Sequence, residues 1–110
     1  MELMTLKEIC ESVGVSRRSI QCYEKAGLMR PTDKNKYGYL LYDKQALHRA
    51  ELIKFLQELG FKLKEIGTII DAPNNVMKEA LERRIGELEK EAVRLNQVIQ
   101  QAREYMESLE

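Results

Sequence analysis

The chain is poor in the residues from which catalytic and metal sites are usually built. Its 110 residues include one histidine, His48, and two cysteines, Cys10 and Cys22. His48 has no companion at metal-ligand spacing and reads as a surface or interface residue. The cysteines lack the Cys-x-x-Cys spacing of a redox or zinc pair and fit a reducing compartment. No Ser-His-Asp, Cys-His or paired-carboxylate arrangement occurs, and no glycine-rich phosphate loop, so neither an enzyme, a cofactor nor a metal is expected. No apolar run approaches the length of about 18 residues that suggests a membrane span. The 44% hydrophobic content is therefore that of a soluble protein without a membrane partner. The first residues do not follow the basic, apolar, small-residue order of a signal peptide, which makes the cytoplasm the expected location. Internal repeats and low-complexity tracts are absent, and the length allows one small domain plus at most one further element.

Net charge is also missing, but the zero hides an asymmetry. Residues 1–70 carry +3 and residues 71–110 carry −3. A basic front and an acidic tail suit a nucleic-acid-reading head on a solvated stalk. Within the front, Thr5-Leu6-Lys7-Glu8 forms a capping box, in which Thr5 and Glu8 each satisfy the other's amide. Leu6, Ile9, Cys10 and Val13 follow at helical spacing, and Gly14 ends this first helix. Ser16 then caps a second helix that opens Arg17-Arg18 and stops at Gly27. Val15, Ser19, Ile20 and Tyr23 can face inward, whereas Arg17, Arg18, Gln21 and Cys22 take other angles. The order helix, turn, helix with cations in the first turn is that of a helix-turn-helix, whose second helix lies in the DNA major groove. Cations at a helix N-terminus oppose the helix dipole, which points to a compensating anion.

From Leu28 to Tyr42 the helical period disappears, and Pro31, Asn35 and Gly38 punctuate a strand-forming segment. It reads as a β-hairpin wing with Lys34 and Lys36 at a basic tip. Asp43 caps a third helix, with Ala46, Leu47, Ala50, Leu52, Ile53, Leu56 and Leu59 apolar and Gly60 at its end. A short fourth helix carries Phe61, Leu63, Ile66, Ile69 and Ile70 and stops before Pro73. From about Val76 to Ser108 the residues Leu81, Ile85, Leu88, Ala92, Leu95, Ile99, Ala102, Met106 and Leu109 recur in alternating steps of four and three. Four such heptads make a coiled-coil seam. A stripe of that length would be left wet in a monomer, at roughly 1.5–3 kcal/mol for each large side chain, and calls for a partner helix, most simply a second copy. Val93, Val98 and Tyr105 widen the apolar face. The expected fold is thus mainly α: residues 1–72 a winged helix-turn-helix domain with a small β-hairpin wing, and residues 73–110 a dimerisation helix.

Residues 4–70 resemble the MerR-type transcriptional regulators. The resemblance rests on Gly14-Val15-Ser16, Tyr23-Glu24-Lys25-x-Gly27-Leu28, Pro31, Gly38-Tyr39 with Tyr42, and Leu59-Gly60-Phe61-x-Leu63-x-Glu65-Ile66. It implies a homodimer joined by an antiparallel two-stranded coiled coil, bound to a palindromic operator in double-stranded DNA within a promoter whose spacer is over-long. The dimer bends and untwists that DNA so that RNA polymerase can read both promoter elements. The chain departs from the family pattern in two ways. Where such regulators usually read Arg-Tyr-Tyr-Glu, this chain has Gln21-Cys22-Tyr23-Glu24, and where arginine usually follows the wing's Gly-Tyr it has Leu40. In addition, neither Asp71–Ala80 nor Gln101–Glu110 contains a cysteine or histidine. A thiolate metal site of the kind metal-sensing members carry is therefore not expected, nor is a separate effector domain.

The residues expected at the DNA are Ser16, Arg17, Arg18, Gln21, Tyr23, Lys34, Lys36 and Tyr39. Gln21 either reads an adenine edge or lies in solvent. Tyr23 is a core aromatic, a phosphate contact through its hydroxyl, or both. Cys22 is either structural or an oxidation-sensitive switch. The resulting reading is a sequence-specific transcriptional regulator of a bacterial cytoplasm. One rival is a winged-helix and coiled-coil interaction module that pairs with another regulator and binds DNA weakly, as Gln21, Cys22 and Leu40 suggest. Another is a ligand sensor with a pocket between the long helix and the partner's head.

Overall fold

Thr5 closes one element and opens the next. In the computed structural model, which describes residues 2–110, it is the last residue of strand β1 (Met4–Thr5) and the N-cap of helix α1 (Leu6–Val13). Its hydroxyl accepts from the Glu8 amide at 3.2 Å, and its own amide donates to Glu8 Oε1 at 3.0 Å. Gly14 ends α1 at φ +79°, in the left-handed region that a β-carbon disfavours. A β-carbon there would also come within 3.1 Å of Lys54 Nζ, the group that donates to the Val13 carbonyl at 2.9 Å. Helix α2 (Arg17–Lys25) follows, capped by Ser16, whose Oγ accepts from the Ser19 amide at 3.1 Å.

The wing consists of β2 (Asp33–Lys34) and β3 (Leu40–Tyr42), antiparallel, with Lys34 opposite Leu40 and Asp33 opposite Leu41. On its other edge β3 pairs with β1, so the sheet has three strands in the order β1-β3-β2. The hairpin is the one expected; the third strand is not. Met4 and Thr5 are too few to show a two-residue period, and the capping box masks their extended conformation.

Asp43 caps helix α3 (Lys44–Glu58) by accepting from the Ala46 amide at 2.8 Å. Ala46, Ala50, Ile53 and Leu56 are buried along one stripe of α3 and meet Ile9, Val13, Ile20 and Tyr42 in the core. Leu52, grouped above with the apolar positions of this helix, lies off the stripe and is partly exposed, as is Phe55. Helix α4 (Leu63–Ile69) adds Ile66 and Ile69 to the core. Arg49 ties the turn after α2 to Asp71: its Nε donates to the Leu28 carbonyl at 2.7 Å, and its guanidinium grips Asp71 through bonds of 2.6 and 2.8 Å. That grip holds the Asp71 carboxyl below its usual range.

The chain divides into two compact units, Met1–Asp71 and Ala72–Glu110. The second is helix α5 (Asn74–Ser108), 35 residues without a buried one. At a rise of about 1.5 Å per residue it extends roughly 50 Å. It starts two residues before the expected Val76, because the Pro73 carbonyl accepts from the Val76 amide at 2.9 Å and draws Asn74 and Asn75 into the first turn. Pro73 itself stays outside the helix as its N-cap, at ψ 151°. Ile85, Leu95, Ile99, Met106 and Leu109 of the expected seam are exposed, and so are Ala92 and Ala102. Leu81 and Leu88 are partly covered. No helix among the described residues is long and apolar enough to cross a membrane.

Candidate nucleic-acid interface

Helix α2 has two sides with opposite tasks. Ile20 and Tyr23 are buried, while Arg17, Arg18, Gln21, Cys22 and Lys25 are exposed. At 3.6 residues per turn the five exposed positions fall within an arc of about 140°, so they form a single outward face. Three cations lie on it, and among the described residues none of them is ion-paired. Such a face is stable only while water or an anion surrounds it.

Two tyrosine hydroxyls hold the inward side. Tyr23 is 1% exposed, and its hydroxyl donates to Gln57 Oε1 on α3 at 2.8 Å. Tyr42, fully buried on β3, donates to Glu24 Oε2 at 3.1 Å. The first bond ties α2 to the core helix, and the second ties it to the strand that carries the wing. Burial raises the proton affinity of Glu24 and of both tyrosines; for Tyr42 the neighbouring Glu24 charge adds to it. Tyr23 is thereby placed differently from the other expected contacts: it is a core residue with its hydroxyl engaged, and it acts on the surface by positioning α2. Ser16 likewise spends its hydroxyl on the helix cap.

The tip of the wing is built by Asn35. Its Oδ1 accepts from the Tyr37 and Tyr39 amides at 2.9 and 3.0 Å. Its backbone accepts from the Gly38 amide and donates to the Tyr39 carbonyl, both at 2.9 Å, and Gly38 adopts φ +85°. Tyr37 and Tyr39 then project at 72% and 68% exposure, with Lys34 and Lys36 also in solvent. The outward side of this unit thus presents the α2 cations and a basic, aromatic hairpin.

Residues 4–73 match the family model described as MerR HTH family regulatory protein, and residues 47–105 match that described as MerR, DNA binding. The chain belongs to the MerR family. It is 36% identical over 95 residues to the HTH-type transcriptional activator mta of Bacillus subtilis, covering 86% of this chain and 37% of that one. To the mercuric resistance operon regulatory protein of Bacillus cereus it is 36% identical over 63 residues, covering 57% of this chain and 48% of the relative. The chain thus spans less than half the length of these curated relatives. Among solved structures, the N-terminal part of the Bacillus subtilis multidrug transporter activator superposes with a TM-score of 0.74 at 33% identity, covering 94% of this chain and 97% of that one.

The positions at which this MerR-family chain departs from the usual pattern are all accounted for in space. Gln21 and Cys22 lie on the outward face of α2, whereas Leu40 is half-buried at the start of β3. The first two therefore alter the surface of α2, the third lies at the edge of the wing sheet, and none of them is a buried core residue. Sequence reasoning placed Asn35 in the wing as a turn residue and Tyr37 there as a strand-forming one, but gave neither a part in building or presenting the tip. It passed over Gln57, whose partner lies across the fold and leaves no local signal. Among the described residues no group of three or more His, Cys, Asp or Glu side chains is placed to hold a metal ion.

Proposed function

We propose that this chain is a sequence-specific DNA-binding regulator of transcription, acting as a homodimer on a palindromic promoter operator in a bacterial cytoplasm. Helix α2 enters the major groove, with Arg17, Arg18 and Gln21 toward base edges and phosphates. Lys34, Lys36 and Tyr39 of the wing rest on the flanking backbone. The observation that carries this reading is the unpaired cationic face of α2 on a helix anchored from behind by Tyr23 and Glu24. Distortion of the duplex so that RNA polymerase can engage the promoter is part of the same proposal, as the family membership suggests.

The second copy is needed by α5, whose seam side chains other than Leu81 and Leu88 are exposed. An antiparallel pairing supplies partners for every seam residue except Leu109. Ile85 faces the partner's Ala102, Leu88 the partner's Ile99, Ala92 the partner's Leu95 and Leu81 the partner's Met106. Each alanine meets a large side chain in this register. A parallel in-register pair would instead set Ala92 and Ala102 each against its own copy, leaving gaps of the kind that cost about 2–5 kcal/mol when a large core side chain is cut to alanine. The flanking positions agree: Glu82 faces the partner's Arg103, and no like charges meet.

Selection of bound duplexes from a random pool at moderate salt tests the function. A two-fold symmetric sequence should emerge. Its affinity should fall by roughly 10³–10⁵ between 50 and 200 mM salt if six to ten phosphates are neutralised. Recovery of no sequence, with a flat salt response, would replace this reading by that of an interaction module pairing with another regulator, which Gln21, Cys22 and Leu40 favour.

A further inference from the structure

The side chains of Tyr37 and Lys36 at the wing tip have no part in the fold. Tyr37 is the most exposed of the large hydrophobic side chains. A loop that only joined β2 to β3 would gain nothing by holding an aromatic ring out in water, and burial of such a ring is favourable wherever a partner allows it. Yet the loop is fixed. Four hydrogen bonds centre on Asn35, two from its side chain and two from its backbone, and Gly38 supplies the left-handed turn. Lys36 Nζ stands over the Tyr37 ring at 5.1 Å from its centre, within cation–π range. Lys36 and Lys34 have no carboxylate partner among the described residues. The tip is therefore a prearranged set of two amines and two aromatic rings, facing outward on a backbone that loses little freedom on binding.

We infer that Lys36 and Tyr37 form a finger that grips the sugar–phosphate backbone of duplex DNA beside the α2 footprint, and that Asn35 is its positioning residue. The Lys36 ammonium answers a phosphate, and the Tyr37 ring lies against the adjoining deoxyribose. These groups occur at every nucleotide, so the finger adds affinity and fixes register without reading sequence. The Lys36–Tyr37 stack also aims the amine, which by itself is a flexible point charge. This inference rests on the proposed DNA-binding function and extends it to two residues that the sequence pattern leaves unassigned or assigns by charge alone.

The test uses the full chain and two duplexes, the selected operator and a scrambled one, titrated from 50 to 200 mM salt. Wild-type binding to the operator is established first; its absence would overturn the proposed function, whatever the wing does. Given that binding, Lys36→Gln should weaken both duplexes alike and flatten the log–log salt slope by about 1.8 for the two copies of a dimer. Tyr37→Ala should weaken both duplexes with the slope nearly unchanged, and Tyr37→Phe, which keeps the ring, should bind as wild type does. Asn35→Ala should reproduce the Tyr37→Ala loss at an unchanged melting temperature. If Lys36→Gln and Tyr37→Ala bind both duplexes as wild type does, the finger does not exist. A loss confined to the operator would overturn it equally, because the contact would then be to bases.

Discussion

Glu24 shows how a residue on the inner edge of the helix proposed to enter the groove is set by the fold. Its carboxylate accepts the Tyr42 hydroxyl, and partial burial raises its proton affinity above the ordinary value of 4.5. The folded chain therefore holds this proton more tightly than the unfolded chain does. The stability gained from protonation grows as pH falls toward 4.5, is complete below it, and is lost as pH rises through the raised value. Glu24→Gln retains an acceptor for Tyr42 and removes the ionisation. Wild type should gain melting temperature relative to Glu24→Gln as the pH is lowered from neutrality to 4.5. Two profiles that stay parallel across that range would show that burial does not perturb the carboxyl. Asp71 titrates in the opposite sense: its contribution through Arg49 is present at neutral pH and fades only below 3.8, its ordinary value. Asp71 and Arg49 are the same in wild type and the glutamine variant, so their contribution drops out of the difference between them.

The elements differ in how clearly the sequence announces them, and the difference is physical. Caps and periods are local, so Thr5, Ser16 and Asp43 mark the starts of α1, α2 and α3, and the heptads mark α5. Strand β1 is defined only by its partner β3, and no local signal announces two residues. The outward face of α2 is legible because Arg17, Arg18 and Gln21 share an arc. The burial of Tyr23 beneath it depends on Gln57, 34 positions further on. Helix α5 is legible in its face but leaves direction and register open, and flanking charges test the proposed antiparallel register. In the antiparallel register Glu82→Arg should set two arginines against each other at two symmetric places. Dimer stability should fall by roughly 0.5–2 kcal/mol, the scale of two exposed ion pairs. The double variant Glu82→Arg/Arg103→Glu should regain it. Sedimentation at a series of concentrations reads both changes, and a double variant no better than the single one would rule out this register.

For the whole molecule, the proposed function requires that two α2 faces act as one ligand. Each head presents few cations, and the chain as a whole is neutral, so a single head has little purchase on DNA at physiological salt. In the proposed dimer, linkage through α5 makes the second head's binding intramolecular, which raises avidity by about 10²–10⁴-fold with no new contact. Ile99→Lys separates this effect from the quality of either head, because it charges the seam and leaves residues 1–71 as they are. The variant should be monomeric, with an unchanged set of head contacts. Its operator affinity should fall by about 10²-fold or more. Its salt slope should halve as well, since one head neutralises half the phosphates and each contributes about 0.9 to the slope. The halved slope is the decisive reading, because a general loss of fold would abolish specific binding instead of rescaling its salt dependence. Should the monomeric variant keep the full slope, all the phosphate contacts would lie within one head, and α5 would serve a purpose other than pairing two readers on one site.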